Sequence, residues 1–262
     1  MIFSGLNNMV KIAQITDTHL LADKEDAMRG VQTWYSLEKV LKTVKKVVPE
    51  LILLTGDLAH NGEKAAYEHL KNLIDQTKIP AYWLPGNHDN FQRMQSALSS
   101  QYLHAQKCFQ HKNWCFILLN SCLENAQYGE GTLAKTELDW LVDKLNAHRG
   151  KPTAIALHHH PVDTGIDWLE QMSVLNSSAF HEIIRQYPQV KVVCFGHIHH
   201  QLTVRQNGIY FFGTPATCTQ VTPAHCREIE GEIQLWQQPG FRVIDLKDNG
   251  AVTTEVQRIQ WF

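Results

Sequence analysis

The sequence predicts an α/β fold in which strands alternate with helices and a β-rich segment follows. Between Val10 and Phe195, short apolar runs alternate with stretches whose apolar residues have helical spacing. This alternation is typical of parallel strands flanked by helices. Beyond Gly196 the apolar runs are short and separated by turns, which favours strands without intervening helices. We expect this last third to form a second, mostly antiparallel sheet that packs on the first.

The individual elements follow from these two patterns. Val10–Thr16 is an apolar run of strand length, and Trp34–Val48 has helical spacing until Pro49 ends the helix. Further strands are predicted at Leu51–Thr55, Pro80–Leu84, Trp114–Asn120, Thr153–Leu157 and Val190–Phe195, and further helices at Lys64–Ile74, Phe91–Leu98, Lys135–Ala147 and Ser178–Tyr187. The strands predicted in the last third are Leu202–Arg205, Ile209–Phe212, Gly231–Trp236, Phe241–Leu246 and Val252–Ile259. No linker or repeat divides the chain, so we expect one domain over residues 1–262, with residues 1–8 disordered.

Composition and charge exclude several classes of function. The formal net charge of −2 gives no basic excess, so we expect no nucleic-acid polymer as a partner. We find no signal peptide and no apolar window of membrane-spanning length, so we expect no membrane partner and a cytoplasmic location. The 6 cysteines form no Cys-x-x-Cys pair, which argues against a zinc knuckle and favours a reducing compartment. A homodimer is expected only because dimers are the commonest assemblies.

Potential metal ligands follow five of the predicted strands in the first two thirds of the chain. In open α/β sheets, ligands bind outside the carboxyl ends of the strands, so these side chains are expected to converge. Gly56, Gly86 and Gly196 precede three of the groups, where the backbone must turn and approach closely. The groups in chain order are Asp17 with His19, Asp57, Asn87 with His88, His158 to His160, and His197 with His199.

The residue types in these groups suit a pair of metal ions. Carboxylate and amide oxygens together with imidazole nitrogens suit Zn, Mn or Fe. The set exceeds what one four-coordinate ion needs but fits two ions about 3.5–4 Å apart that share a bridging Asp. A water shared by two such ions becomes hydroxide near neutral pH and attacks phosphorus in line. Taken singly, each motif also has a structural explanation: Gly-Asp is a common turn, and Asn87 with Asp89 could cap the following helix.

The five blocks in this order resemble the calcineurin-like metallophosphoesterase superfamily. Three stretches are most similar to the bacterial class III cyclic-nucleotide phosphodiesterases, namely GNHD at 86–89, HHHPVD at 158–163 and TPATCTQ at 214–220. The resemblance implies a four-layer α/β/β/α sandwich of two mixed sheets flanked by helices. It also implies hydrolysis of a phosphate ester, with the TPATCTQ loop closing near the active site.

The resemblance further implies a role for each matching residue. Asp17, His19 and His199 would hold the first metal, and Asn87, His159 and His197 the second. Asp57 would bridge the two ions. His88 would be the catalytic residue that stabilises the phosphoryl oxygens or protonates the leaving group. The residues expected to contact substrate are Asn87, His88 and His199.

Three consecutive histidines leave one ligand open. Successive residues of a strand point to opposite faces, which would put His158 and His160 on one side and His159 on the other. Relatives usually place the ligand two residues before the proline, which here is His159 before Pro161. The other two histidines would contact substrate, support the site or be solvated.

The resemblance favours a 3′,5′-cyclic nucleotide such as cAMP as the small-molecule substrate. The alternatives are a broader phosphodiesterase or phosphomonoesterase, for example on glycerophosphodiesters, and a non-catalytic interaction module on the same fold. The run GDLAHNG lacks the Asp-Arg-Gly element of protein phosphatases, and a repair nuclease would need a capping domain and basic grooves.

Several residues near the motifs carry two interpretations each. His60 and Asn61 line the pocket or form a turn. Asp89 orients His88 or caps the helix, and His200 is expected to face away from the site. Two aromatic residues in loop-like regions, Trp168 and Tyr128, stack on a nucleobase or serve ordinary packing.

Overall fold

Strands and helices alternate through most of the chain in the computed structural model, which describes residues 9–221 and 232–261. The strands are β1 (Met9–Ile15), β2 (Ala27–Met28), β3 (Val31–Gln32), β4 (Leu51–Thr55), β5 (Ala81–Leu84), β6 (Leu103–His104), β7 (Cys108–His111), β8 (Trp114–Leu118), β9 (Thr153–Ala156), β10 (Val190–Phe195), β11 (Leu202–Gln206), β12 (Ile209–Gly213), β13 (Gly240–Lys247) and β14 (Val252–Arg258). The helices are α1 (Thr33–Val47), α2 (Lys64–Asp75), α3 (Phe91–Ala97), α4 (Lys135–Ala147), α5 (Asp167–Glu170), α6 (Ser177–Ile184) and α7 (Glu232–Gln237). The described part of the chain contains no helix with the length and apolar character of a membrane span.

The strands form two mixed six-stranded sheets and one small hairpin. The first sheet has the order β14-β13-β1-β4-β5-β6, and the second has the order β11-β12-β10-β9-β8-β7. In the first sheet, β1, β4, β5 and β6 are parallel to one another. β13 pairs antiparallel with β1, and the edge strand β14 pairs antiparallel with β13. In the second, β8, β9, β10 and β12 are parallel, while β7 and β11 are antiparallel. The hairpin of β2 and β3 stands apart from both.

Three apolar cores separate four layers. In β4, Ile52 and Leu54 face a core shared with α1, α2 and α3, whereas Leu51 and Leu53 face a core between the two sheets. The third core lies between the second sheet and helices α4 to α6. Alternate residues of one strand thus enter different cores, as the pleat of a strand requires. The predicted α/β/β/α sandwich is confirmed.

The prediction for the last third of the chain was wrong in two respects. This segment does not form a sheet of its own. Instead, β11 and β12 extend the second sheet beside β10, and β13 and β14 extend the first sheet beside β1. The open edges of both parallel sheets offer unpaired backbone groups that these strands satisfy. The strand predicted at Gly231–Trp236 is helical from Glu232 to Gln237, and Gly231 itself lies outside the described residues.

A buried arginine joins the two sheets at one end of the sandwich. Arg242 of β13 is only 3% exposed. Its Nη2 donates hydrogen bonds across the interface to the carbonyl oxygens of Gly213 at 2.7 Å and Leu202 at 3.0 Å. Nη1 lies 3.2 Å from the Thr254 hydroxyl of β14. The guanidinium therefore satisfies backbone acceptors at the ends of β11 and β12 that burial would otherwise leave unpaired.

Replacing this arginine is expected to destabilise the fold. In Arg242→Met, the buried carbonyl oxygen of Gly213 and the partly buried one of Leu202 lose this donor, so the free energy of unfolding should fall by about 2–4 kcal/mol. Urea denaturation followed by circular dichroism measures the change. Arg205→Met is the matched control, because Arg205 is exposed on β11 and should cost no more than about 0.5 kcal/mol. Equal stability of the two variants would contradict the cross-sheet role.

Candidate metal centre

The predicted ligands converge where the carboxyl ends of strands from both sheets meet. The backbone N–H of Asp17, after β1, donates to the Gly56 carbonyl oxygen, after β4, at 3.0 Å. In the second sheet the N–H of Gly196, after β10, donates to the His158 carbonyl oxygen at 3.0 Å. Across the sheets, the N–H of His197 donates to the Asp17 carboxylate at 3.0 Å. These bonds tie four strand ends into one cluster.

The backbone at this cluster adopts a conformation that L-residues rarely use. Five site residues have positive φ, in a region that costs on the order of 1–3 kcal/mol for a residue with a Cβ. Such strain concentrates at functional sites, where it aims side chains inward. The residues and their φ values are Asp17 (50°), His19 (41°), Asp57 (51°), His197 (69°) and His199 (51°).

Close backbone approach explains two of the glycines before the ligands. A Cβ on Gly86 would collide with the carboxylate and backbone nitrogen of Asp57, and one on Gly196 would collide with the Thr16 hydroxyl and lie 2.8 Å from the Asp17 carboxylate. Both contacts involve buried groups that cannot move away. The predicted need for glycine at these turns is therefore met by the structure.

One ligand-capable cluster surrounds Asp17. The Nδ1–H of His199 donates to the Thr219 carbonyl oxygen at 2.7 Å, which leaves its Nε2 free. That Nε2 lies 3.3 Å from Asp17 Oδ1 and 3.2 Å from His19 Nε2. The Nε2 of His19 lies 3.6 Å from Asp57 Oδ2. Two imidazoles and two carboxylates thus point at one space.

A second cluster lies on the other side of Asp57. The Nδ1–H of His158 donates to the Thr55 carbonyl oxygen at 2.8 Å. Its Nε2 lies 3.3 Å from Asp57 Oδ2 and 3.2 Å from His197 Nδ1. Asp57 Oδ2 is therefore within 3.6 Å of ring nitrogens from both clusters, the position expected of a bridging group.

The hydrogen-bond partners of the histidine nitrogens in these clusters suit bound cations. In His158 and His199 the Nδ1 proton is held by a carbonyl oxygen, so a neutral ring would turn a lone pair toward a carboxylate. A bound proton or metal ion removes that repulsion. Three buried atoms at the same place have no hydrogen-bond partner, namely Asn87 Oδ1, His159 Nε2 and His197 Nε2. Unpaired buried polar atoms are costly, so their concentration here indicates a missing ligand.

The pKa shifts follow from burial and from the carboxylates. Burial alone would lower the pKa of His158, but the Asp57 carboxylate outweighs it and raises that pKa to about 9. Burial likewise opposes ionisation of Asp57, yet the charge and the hydrogen bond of His158 hold the pKa of this carboxyl well below its usual range. Burial lowers the pKa of His19 to about 3, so this imidazole is neutral. Without metal, the centre keeps its carboxylates charged by protonating selected histidines.

The structure gives the three consecutive histidines different surroundings. β9 ends at Ala156, so the strand alternation used to separate their faces does not extend to them. His158, not His159, approaches the Asp57 carboxylate. The His159 Nδ1 lies 2.8 Å from the Ser121 hydroxyl, and the His160 ring stacks on His197 with centroids 5.9 Å apart. All three are buried, so the solvated alternative is wrong.

Asp89 has neither of the two roles considered for it. Its carboxylate accepts hydrogen bonds from the backbone N–H groups of Leu58 and Ala59 and from that of Gly86, at 3.0–3.1 Å. The helix α3 is capped instead by the side chain of Asn90. Asp89 therefore fixes the two turns that carry Asp57 and Asn87, a role that spacing in the sequence does not reveal.

His88 stands at the edge of the centre with one nitrogen available. Its backbone N–H donates to Asp57 Oδ1 at 2.9 Å, and its Nδ1–H donates to the His60 carbonyl oxygen at 2.8 Å. The His60 ring stacks on it with centroids 5.1 Å apart, so His60 supports the site. Because the His60 carbonyl fixes one proton, Nε2 is the atom of His88 that can exchange a proton with a ligand.

A pocket of about 150 Å³ opens beside these residues. Trp168, which is 52% exposed, forms part of its wall, where its ring is open to a ligand. Tyr128 does not line it. The TPATCTQ loop closes on the pocket through Thr219 and Gln220. His200, expected to face away, is buried and has its Nδ1 2.9 Å from the Ile198 carbonyl oxygen.

Part of the pocket wall was not foreseen. Met28 and Arg29 enter from the β2–β3 hairpin, and Met172 enters from the loop after α5. Arg29 and Gly30 both have positive φ, at 48° and 85°, as in the tight type I′ hairpin turn. A Gly after a basic residue between two short segments is the only sequence signal that could have indicated this hairpin.

Comparison with known proteins agrees with this geometry. The family model of the calcineurin-like phosphoesterases matches residues 10–201, and the chain belongs to this family. It is 39% identical over 253 residues to the 3′,5′-cyclic adenosine monophosphate phosphodiesterase CpdA of Escherichia coli strain K12, covering 95% of this chain and 90% of that protein. It is 38% identical over 255 residues to a 3′,5′-cyclic-nucleotide phosphodiesterase of Nostoc, covering 96% and 93%.

A solved structure supports the same fold. A dimetal phosphatase from Danio rerio superposes with a TM-score of 0.67 and 15% sequence identity, over 95% of this chain and 99% of that one. At this identity the similarity speaks for the fold alone.

Metal binding at this centre is expected to release protons. The pKa of His158 is about 9 without metal, so this ring is protonated at neutral pH, and a cation bound beside Asp57 is expected to repel and displace that proton. Apparent affinity for Mn²⁺ should therefore rise with pH from neutral up to about 9. Calorimetric titration of metal-depleted protein, in two buffers of different ionisation enthalpy, measures the number of protons released. Zero net release near pH 7 would contradict the assigned protonation.

Proposed function

We propose that the chain is a two-metal phosphodiesterase that hydrolyses 3′,5′-cyclic nucleotides, with cAMP as the principal substrate. The proposal rests mainly on the position of Asp57, whose Oδ2 lies between two clusters of imidazole nitrogens where the strand ends meet. The substrate class is supported by the names of the relatives, which the chain matches over nearly its whole length. The activity for which these relatives are named and this buried centre point to the same chemistry.

The distances favour one set of ligands for each ion. Asp17, His19 and His199 would hold the first ion. Asn87, His159 and His197 would hold the second, because Asn87 Oδ1 and the Nε2 atoms of both histidines are buried without a hydrogen-bond partner. Asp57 would bridge. The donor set of oxygen and imidazole nitrogen accepts Fe, Mn or Zn.

The bound ions and two groups of the chain's own residues would prepare the reaction. When two ions are bound, they neutralise phosphate charge and lower the pKa of a shared water. Asp89 and the glycine turns hold Asp57 and Asn87 in place, so that little reorganisation is needed as charge develops. His88 lines the pocket, and its Nε2 would give a proton to the ribose oxygen as the phosphorus–oxygen bond breaks.

The pocket wall suits a nucleoside attached to the phosphate. Trp168 offers an exposed ring on which a purine can stack, and Met172 offers a soft apolar surface beside it. Arg29 enters from the hairpin tip, so its guanidinium is placed at the pocket to meet an anionic ligand. Asn87, His88 and His199 would contact the phosphate itself.

A comparison of substrates tests the function. The protein would be reconstituted separately with Mn, Fe and Zn and assayed on 3′,5′-cAMP, 2′,3′-cAMP, an aryl phosphodiester and an aryl phosphomonoester. We expect the highest kcat/KM on 3′,5′-cAMP. Efficient hydrolysis of the aryl diester with poor turnover of cAMP would instead establish a phosphodiesterase of broader specificity. Failure to hydrolyse any of the four with metals bound would refute the proposal.

Substitution of the adjacent histidines tests the second ligand set. His159→Gln should lose most of the second ion, because its buried, unpaired Nε2 is removed. His158→Gln should keep both ions, because the His158 Nε2 already meets the Asp57 carboxylate, and His160→Gln is the matched control at the third buried position. Metal content would be measured by mass spectrometry, with thermal melts to check folding. Loss of metal in His158→Gln but not in His159→Gln would instead make His158 the ligand and contradict this set.

His88→Ala tests the proton donor. We expect kcat on cAMP to fall by about 100-fold or more, in the range for loss of a general acid, while both ions remain bound. His69→Ala serves as the control, since the His69 side chain donates to the Ala22 carbonyl oxygen and does not line the pocket. If metal were lost together with activity, His88 would be a ligand and the assigned role would be wrong.

A further inference from the structure

A second group of metal-binding side chains lies outside the phosphoesterase centre. Cys108 is on β7, the edge strand of the second sheet, and Cys115 is on the adjacent β8. His148 directly follows α4, the helix that covers this part of the sheet. One ligand atom from each of the three residues lies within 4.8 Å of the other two. None of them lines the pocket of the active site.

The strand register places both thiols on the helix side of the sheet. Gln110 pairs with Cys115, and Cys108 is two residues before Gln110, so both cysteines point to the same face. Cys115 belongs to the core between this sheet and its helices, and Cys108 packs against that core. The imidazole of His148 meets them from above, at the end of α4. Three separate elements therefore contribute one ligand each.

The observed separations suit a tetrahedral ion. Cys108 Sγ lies 3.6 Å from His148 Nε2. With Zn–S of about 2.3 Å and Zn–N of about 2.0 Å, tetrahedral geometry separates these two atoms by about 3.5 Å. The other ring nitrogen, Nδ1, lies 3.0 Å from the Gln110 side-chain amide nitrogen. With Nε2 bound to a metal, Nδ1 would carry the ring proton, and rotation of this amide would turn its oxygen toward that proton.

The surroundings favour the thiolate form that metals require. A hydrogen bond from Cys115 lowers the pKa of the Cys108 thiol to about 6, with further contributions from His148 and Lys144. The same hydrogen bond, together with burial, raises the pKa of Cys115. A metal ion would displace that second proton, as metals do when they bind thiols.

A disulfide fits the two cysteines less well than a shared ion. They occupy diagonal positions of an antiparallel pair, where side-chain origins lie about 7–8 Å apart or somewhat less. A disulfide needs Cβ atoms about 3.5–4.5 Å apart. An ion between two sulfurs spans a longer distance without moving the strands.

We propose that Cys108, Cys115 and His148 form a zinc site, with water as the fourth ligand, that ties the edge of the second sheet to the end of α4. Two thiolates balance the charge of Zn²⁺, and the neutral imidazole completes the protein ligands. The ion would stabilise the fold and would take no part in phosphodiester hydrolysis. It adds to the metal ions of the catalytic centre and is independent of them.

Cobalt is the probe that separates this site from the catalytic centre, because only sulfur ligands give intense thiolate-to-cobalt charge-transfer absorption. The full-length, metal-depleted protein would be titrated with Co²⁺ under reducing conditions. We expect wild type to show this absorption for one ion per chain and Cys108→Ser to lose it. His148→Gln should bind that ion at least 10-fold more weakly. Hydrolysis of cAMP or of the aryl diester should be unchanged in Cys108→Ser.

Two cysteine variants control for thiols outside the cluster. Cys218 Sγ lies 4.0 Å from His199 Nδ1 at the catalytic centre, so Cys218→Ser shows whether that thiol produces the signal. Cys122→Ser controls for loss of a thiol elsewhere. Absence of the absorption in wild type, or its loss in Cys218→Ser but not in Cys108→Ser, would overturn the proposal. A Cys108–Cys115 disulfide in protein kept reduced, found by mass spectrometry, would also overturn it.

Discussion

The buried carboxylate of Asp57 requires compensating groups from both sheets. Its Oδ1 accepts the backbone N–H of His88, while its Oδ2 faces His158 and His19 from opposite clusters. Taking a carboxylate out of water costs several kcal/mol unless opposite charge and hydrogen bonds compensate. Histidines drawn from both sheets provide that compensation, so the two sheets must meet at this point.

The sandwich provides the rigidity that such a centre needs. Asp57 and four other site residues adopt left-handed backbone conformations, and several buried polar atoms are unpaired. Each of these features opposes folding when no ligand is present. Three continuous apolar cores and the cross-sheet hydrogen bonds of Arg242 oppose that cost. Stability is thus gained away from the centre, where the ligands are held ready for cations.

Much of this arrangement could be predicted from the sequence because strand-end positions are set by local patterns. Apolar runs locate β1, β4, β5, β9 and β10, and the polar residues that follow them converge by the geometry of parallel sheets. The choice between His158 and His159 could not be made in this way. Both lie in irregular backbone beyond β9, where the direction of a side chain depends on contacts with Thr55 and Ser121.

Other features depend on long-range pairing and were missed for that reason. The strands of the last third carry the same local signal whichever sheet they join, so their division between two sheets is invisible in the sequence. The β2–β3 hairpin is too short to give a periodic pattern, and with it Arg29 was overlooked. Cys108 and Cys115 have no recognised spacing, because the third member of their cluster, His148, is distant in sequence.

The metal content of Asp57→Asn shows whether the Asp57 carboxylate bridges two metal ions. Wild type and the variant would be loaded with Mn²⁺, freed of excess metal and measured by mass spectrometry together with their rates on a phosphodiester. Asp143→Asn, an exposed change on α4, is the control. We expect two ions at the catalytic centre of wild type and of the control, and less than one in Asp57→Asn, with hydrolysis nearly abolished. Two retained ions and an unchanged rate in Asp57→Asn would contradict the bridging role of Asp57.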